Sequence, residues 1–268
     1  MIGRSDDRPA GAIEDFTAVL QRHGALPAAA VPAAAGGLPA QLVPVHSTTI
    51  LAFKFADGVL VAGDRRATAG NMLVYDRADK VLEIDKFSLM AIAGVPGTAW
   101  EMARVLEHSF QFYRRSQLQE MSLDGKVRAL SKLLRDNLGA VLQGIGVVVP
   151  IFATYDHEAD VPRLYFYDAM GAQFEAADYA ATGSGSPAVR SVLHYENTWG
   201  RRPLRKLRSK EAVLLALRAL ETAASSDTAT GGVDRRAEVF PIVKIVSGEG
   251  IETLSEPDLA KIFKAKLA

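Results

Sequence analysis

Apolar and polar positions follow no usable period before about residue 47 and a clear one after it. Residues 25–40, ALPAAAVPAAAGGLPA, carry no charge and three prolines, a composition that packs poorly by itself and predicts a flexible leader. From Thr48 the chain turns to short β-type runs. TTILAFKF and GVLVAGD flank Asp57-Gly58, a pair that readily takes the positive φ angles of a tight turn, so they predict a hairpin. VLEID and SLMAIAG flank Asp85-Lys86 in the same way. Two hairpins in series predict a four-stranded meander.

Helical spacing follows. Met102, Leu106 and Phe110, then Val127, Leu130, Leu134, Leu138 and Val141, recur so as to line one face of each of two helices. VVVPIFATY, RLYFYD and DYAAT return to strand character, with a turn near Met170-Gly171, and helices are predicted near 187–196 and 210–224. A last β pair, VFPIVKIVS and GIETL, surrounds Gly248-Glu249-Gly250, before an amphipathic helix carrying Leu259, Ile262 and Phe263. Blocks of strands alternating with pairs of helices predict a layered α+β sandwich. In a βαβ repeat every strand would have its own helix.

Composition narrows the possible chemistry. Thirty-one basic residues balance 31 acidic ones in 268, which removes the general electrostatic case for a nucleic-acid or anionic-membrane partner. The absence of cysteine excludes disulfides, thiolate metal sites and a cysteine nucleophile together. Five histidines are scattered without ligand spacing, so neither a metal nor a cofactor is expected. No stretch approaches the roughly 18 apolar residues of a membrane span, and MIGRSDDRPAGAIEDF lacks the features of a secretory signal. A cytoplasmic protein is the expectation.

In a meander, the start of strand one at Thr48, the end of strand two at Asp64, the start of strand three at Lys80 and the end of strand four at Gly94 share one sheet edge. Their chemistry is complementary. An alcohol is a poor nucleophile without a base, and threonine carries none in its side chain. A cut between Ser47 and Thr48 would free an α-amine whose ordinary pKa is about 8. The Lys80 cation would lower it toward neutrality and favour the alkoxide, and Asp64 would hold the ammonium. The Gly94 N–H could meet a developing oxyanion, its missing Cβ letting a carbonyl approach. The plainer alternative is that Asp64 and Lys80 form a surface ion pair.

TTILAFKFADGVLVAGDRRAT, followed by Lys80 and AIAG, then ATGSGS at 181–186 and DTATGG at 227–232, resembles the proteasome β subunits of the Ntn-hydrolase superfamily, and among them the bacterial, actinobacterial kind. The resemblance covers residues 48–268 and implies a four-layer αββα fold and an N-terminal threonine protease, with residues 1–47 a propeptide removed by attack of Thr48 on the Ser47 carbonyl. It assigns Thr48 as nucleophile and amine base, Asp64 and Lys80 as its charge network, and Gly94 as oxyanion donor. Ser184, Asp227 and Thr230 would support the threonine. Thr68 would pair with substrate backbone and Ile92 would floor the pocket for an apolar residue. Seven-membered homo-oligomeric β rings stacked with rings of α subunits are implied, fed with unfolded protein by an ATPase regulator. Two positions depart from the family pattern. Ser47 stands where glycine is usual, which restricts the backbone for the internal acyl shift, and Pro96 stands where an N–H donor to bound peptide is expected.

Three rival readings are weaker. Gly183, Gly185 and Ala188 fit a dinucleotide fingerprint, but no second strand ending in an acidic residue follows. RRPLRKLRSK at 201–210 is the one basic cluster, without interleaved aromatics for nucleic acid. The third is a structural ring subunit that keeps its leader and never exposes an amine.

Overall fold

The computed structural model describes Leu20 and residues 48–69, 72–235 and 237–264. The leader and its boundary at Ser47, predicted above, lie outside the described residues.

Twelve strands and six α-helices are described. β1 (Thr49–Phe55) and β2 (Gly58–Gly63) form the first predicted hairpin, and β5 (Val81–Asp85) with β6 (Ser88–Ala91) the second. Between them a small hairpin, β3 (Ala67–Ala69) and β4 (Met72–Tyr75), was not foreseen. Then come α1 (Pro96–Gln117), α2 (Leu123–Asp136) and the short α3 (Leu138–Leu142). β7 (Ile151–Asp156), β8 (Val161–Tyr167), β9 (Gln173–Glu175) and β10 (Tyr179–Gly183) follow. α4 (Ser186–Trp199), α5 (Ser209–Ser226), β11 (Ile242–Ser247), β12 (Gly250–Thr253) and α6 (Glu256–Lys264) complete the described chain.

The predicted meander does not exist. The strands form two five-stranded sheets in the orders β10-β1-β2-β11-β12 and β5-β6-β7-β8-β9, so the two hairpins belong to different sheets. Both are hairpins locally, with register Ile50↔Gly63 in one and Val81↔Ala91 in the other. What local pattern cannot carry is the 64–80 crossover that sends the second into another layer. The sheets stack face to face. Ile50, Ala52, Val59 and Val61 from one pack on Val81, Leu89, Ile151 and Ala153 from the other. Alternate residues Leu51, Phe53 and Phe55 face outward onto Val189 and Leu193 of α4, Leu217 and Leu220 of α5 and Phe263 of α6. On the far side Met90 and Phe152 pack against Met102, Leu106, Leu130 and Leu134 of α1 and α2. The layers are therefore helix, sheet, sheet, helix. A sheet covered on both faces needs strands apolar on both faces, which is why all seven residues of β1 are buried. Each large apolar side chain so enclosed contributes about 1.5–3 kcal/mol.

Asn137 corrects the expected second helix. Its N–H is shared between the carbonyls of Leu133 and Leu134, which tightens the last turn, and its side-chain amide donates to Gly146 O at 2.6 Å; α2 ends at Asp136, and Leu138 and Val141 sit half-buried in a separate turn. The dinucleotide fingerprint is also disposed of, because β10 runs antiparallel to β1 and no parallel crossover exists there. The basic stretch is anchored to its own chain. Leu204 is buried and Arg205 clasps Asp178 at 2.6 Å.

Candidate active site

β1 lies between β10 and β2, so its first residues meet the ends of both neighbours. Asp64, directly after β2, donates its N–H to Thr49 O at 3.0 Å. Lys80, directly before β5, approaches from the other sheet past Gly63, where a Cβ would stand only 3.4 Å from that of Lys80. Its Nζ donates to Asp64 Oδ1 at 2.8 Å and to Arg66 O at 2.5 Å. Asp64 is 0% exposed and Lys80 5%, so the surface ion pair is excluded. Asp64 also accepts from the N–H of Thr49 (2.8 Å) on Oδ1, and from Arg66 (2.9 Å) and Gly231 (3.0 Å) on Oδ2. Burial pushes the Lys80 pKa down and outweighs the Asp64 pairing, with the Arg66 cation adding to the fall.

Thr48 sits at the mouth of this arrangement, buried, with its carbonyl accepting the Ser184 N–H at 3.1 Å. Gly183 makes the approach possible. Its φ is +99°, and a Cβ would lie 1.7 Å from Thr48 O. Gly183→Ala therefore cannot keep both the turn and the threonine in place. We expect it to destabilise the chain by about 1–3 kcal/mol, measured by denaturant titration.

Ser184 lies on one side of a second cluster. Its Oγ donates to Asp227 Oδ2 at 2.6 Å, Thr230 Oγ1 donates to the same oxygen at 2.5 Å, and the Ala229 N–H reaches Oδ1 at 3.0 Å. Burial works against the Asp227 carboxylate, but the bonds from Ser184, Thr230 and Ala229 and the nearby Arg66 cation prevail and hold its pKa below the usual carboxylate range. The loop that carries it also sends Gly231 to Asp64, so the two carboxylate clusters are joined by a single turn of chain.

Gly94 forms an isolated antiparallel bridge with Val148, and the bonds of that bridge belong to its neighbours: Val95 N–H to Val147 O at 2.9 Å and Val149 N–H to Ala93 O at 2.8 Å. In such a pair the Gly94 N–H points away from Val148. Its φ is +116° and a Cβ would fall 2.0 Å from Val147 O, so glycine is demanded here by the neighbouring segment of the chain itself.

Comparison with known proteins places the chain in a family. A family profile described as "Proteasome subunit" matches residues 45–239. The chain is 38% identical to a proteasome subunit beta of Acidimicrobium ferrooxidans over 92% of its own length and 87% of the relative's. It is 40% identical to proteasome subunit beta 2 of Thermomonospora curvata over 86% and 79% of the two chains. To a proteasome subunit beta of Streptomyces griseus it is 37% identical, over 83% and 76%. The chain belongs to the proteasome subunit family.

In this proteasome subunit the structure brings Thr48, Asp64, Lys80, Ser184, Asp227 and Thr230 to one end of the two sheets. The other predicted residues are placed differently. Ile92 is 4% exposed within the layer of Met90, Ala99 and Met102, and its N–H bonds Lys80 O at 2.9 Å. Pro96 opens α1 at a position whose N–H would have no helical partner, which explains why proline is tolerated there. Thr68 lies in β3, paired with Leu73 of β4. No group of three or more histidine, aspartate or glutamate side chains poised for a metal occurs among the described residues, and no helix among them is long and apolar enough to cross a membrane.

Sequence reasoning missed Thr49, Gly185 and Arg66. Thr49 Oγ1 lies 2.6 Å from Thr230 Oγ1 and accepts the Gly185 N–H at 2.9 Å, while Arg66 Nη1 donates to Thr228 O at 2.8 Å. A signal for Thr49 was present. Strand alternation puts it on the same face as Leu51 and Phe53, where a lone hydroxyl at the head of an apolar stripe needs a polar partner.

Proposed function

We propose that this chain is the proteolytic β subunit of a bacterial proteasome and that Thr48, once the chain is cut after Ser47, is its nucleophile. The observation that carries the reading is the seating of Thr48 between two carboxylate clusters: its carbonyl takes the N–H of Ser184, whose hydroxyl binds Asp227, and the N–H of the next residue binds the buried Asp64 that pairs with Lys80.

The chemistry follows from the donors at hand. The freed Thr48 amine takes the proton of Thr48 Oγ, and Oγ forms a bond to the substrate carbonyl carbon. The Lys80 cation favours the alkoxide, and the Gly94 N–H meets the oxyanion. Collapse breaks the C–N bond, and the leaving amine takes a proton from the Thr48 ammonium. Water, deprotonated by the same amine, then hydrolyses the ester and restores the hydroxyl. The carboxylates of Asp64 and Asp227 keep the site's charge balanced through the cycle.

Activation uses the same oxygen on a different carbonyl. Thr48 Oγ attacks the Ser47 carbonyl, the bond from Ser47 carbon to Thr48 nitrogen breaks as that nitrogen takes the hydroxyl proton and becomes the free amine, and water then cleaves the resulting ester, releasing residues 1–47 and restoring the hydroxyl. Ser47, carrying a Cβ where the family usually has glycine, slows this shift. Rings of this subunit stacked with rings of α subunits supply the enclosed chamber, an ATPase regulator delivers unfolded protein, and β3 around Thr68 offers an edge to which an extended substrate adds as a strand.

Intact mass of the assembled particle tests the reading. A species beginning at Thr48 is expected. An uncut chain in a complete, peptide-hydrolysing ring would overturn it, and an uncut chain in an inactive ring would make this a structural subunit.

A further inference from the structure

The two hydroxyls in TTIL do different work, and the second has no role in the mechanism above. Thr49 is 0% exposed, as is Thr230. Its Oγ1 has two partners, the Gly185 N–H at 2.9 Å and Thr230 Oγ1 at 2.6 Å. Distance alone does not say which hydroxyl donates. The carboxylate does. An ionised Asp227 can only accept, so Ser184 and Thr230 each spend their proton on Oδ2. Thr230 has no second proton to give. The 2.6 Å contact is then donated by Thr49, whose lone pair already receives Gly185. The direction is fixed along the whole path: Gly185 N–H to Thr49, Thr49 to Thr230, Thr230 to Asp227, with Ser184 entering from the other side.

We propose that Thr49 is a positioning residue, whose hydroxyl fixes the direction of this hydrogen-bond chain and thereby holds Asp227 and Ser184 against Thr48. This rests on the reading of Thr48 as nucleophile. Three separate segments meet at that one oxygen: the head of β1, the turn after β10 and the loop after α5. Gly185 shows how close they are, since a Cβ there would stand 2.6 Å from Thr230 Oγ1 and 2.7 Å from Thr49 Oγ1. Hydrogen bonds in series polarise one another, so the terminal bond to Asp227 strengthens when the first members are in place. The main-chain N–H of Thr49 meanwhile binds Asp64 Oδ1 at 2.8 Å. A single residue thus ties both carboxylate clusters to the backbone that carries the nucleophile.

Thr49→Val keeps the shape and removes the donor, and Thr49→Ser keeps the donor. Full-length chains are assembled with their α partner, processed sites are counted by intact mass, and peptide hydrolysis is expressed per processed site. Thr49→Val is expected to lower kcat about 10- to 100-fold, with KM within about twofold of the parent. Thr49→Ser is expected to restore kcat to within about threefold. If Thr49→Val is not cut at all, cutting of Thr49→Ser supports the proposal and failure of both overturns it. A Thr49→Val particle that loses melting temperature or processed sites but keeps its kcat per site also overturns it, because the residue is then merely structural. Thr48→Ala separates the two readings. If that control still hydrolyses peptide, the nucleophile assignment fails; if it is inactive while Thr49→Val is unimpaired, only the positioning role does.

Discussion

Thr48→Ala is expected to reduce peptide hydrolysis to background, a loss on the order of 10⁴- to 10⁶-fold, the scale for removing a nucleophile that acts in concert with its base. The structure says why this loss is chemical rather than structural. Thr48 is held through its backbone, its carbonyl by the Ser184 N–H at 3.1 Å, and the next residue is pinned by the 2.8 Å bond from Thr49 N–H to Asp64. Neither bond uses the Thr48 side chain, so the alanine variant should fold and assemble. The same oxygen is needed to attack the Ser47 carbonyl, so the variant should also keep residues 1–47, visible by intact mass as a full-length chain in the ring. Thr48→Ser, which retains the hydroxyl, should be cut and remain active. Hydrolysis at the parental rate by an uncut Thr48→Ala particle would place the chemistry on another residue.

Much of this was legible in the sequence because hairpin signals are local. Asp57-Gly58 and Asp85-Lys86 fixed two strand pairs, and from their ends four residues were assembled into a site. Asp64 and Lys80 do meet beside the head of β1, but for a different reason from the one expected. They meet because two sheets stack and Gly63 lets Lys80 come within reach of Asp64, not because they share the edge of one meander. Alternating hydrophobicity reveals that a strand is buried, but not which sheet covers it. Asn137 shows another limit: the apolar stripe runs past it to Val141, while its N–H shared with the Leu134 carbonyl and its side-chain bond to Gly146 mark the end of the helix. Thr49 was overlooked because charge drew attention to Asp64 and Lys80, whereas a neutral hydroxyl shows its importance only when its partners, 136 and 181 residues away, are seen.

Asp64 and Lys80 form one ion pair, yet their removal should have different consequences. Lys80→Ala takes away one donor from a carboxylate that still holds three, the N–H groups of Thr49, Arg66 and Gly231. Its cost to folding should therefore be that of one buried charged hydrogen bond, about 1–3 kcal/mol. Its cost to catalysis should be far larger, on the order of 10³-fold, because the cation that favours the alkoxide is gone. Asp64→Ala removes the acceptor for all four donors at once and leaves the Lys80 ammonium, 5% exposed, without its carboxylate. Breaking a buried pair from that side costs about 3–5 kcal/mol. The loop around Gly231 and the head of β1 lose their common anchor as well. The expected result is a folded, assembled and inactive Lys80→Ala particle beside an Asp64→Ala chain that is both inactive and clearly less stable. Denaturant titration and peptide hydrolysis on the two variants measure the two axes independently. Equal stability losses would mean that Lys80, rather than the three amides, is what keeps the Asp64 carboxylate buried.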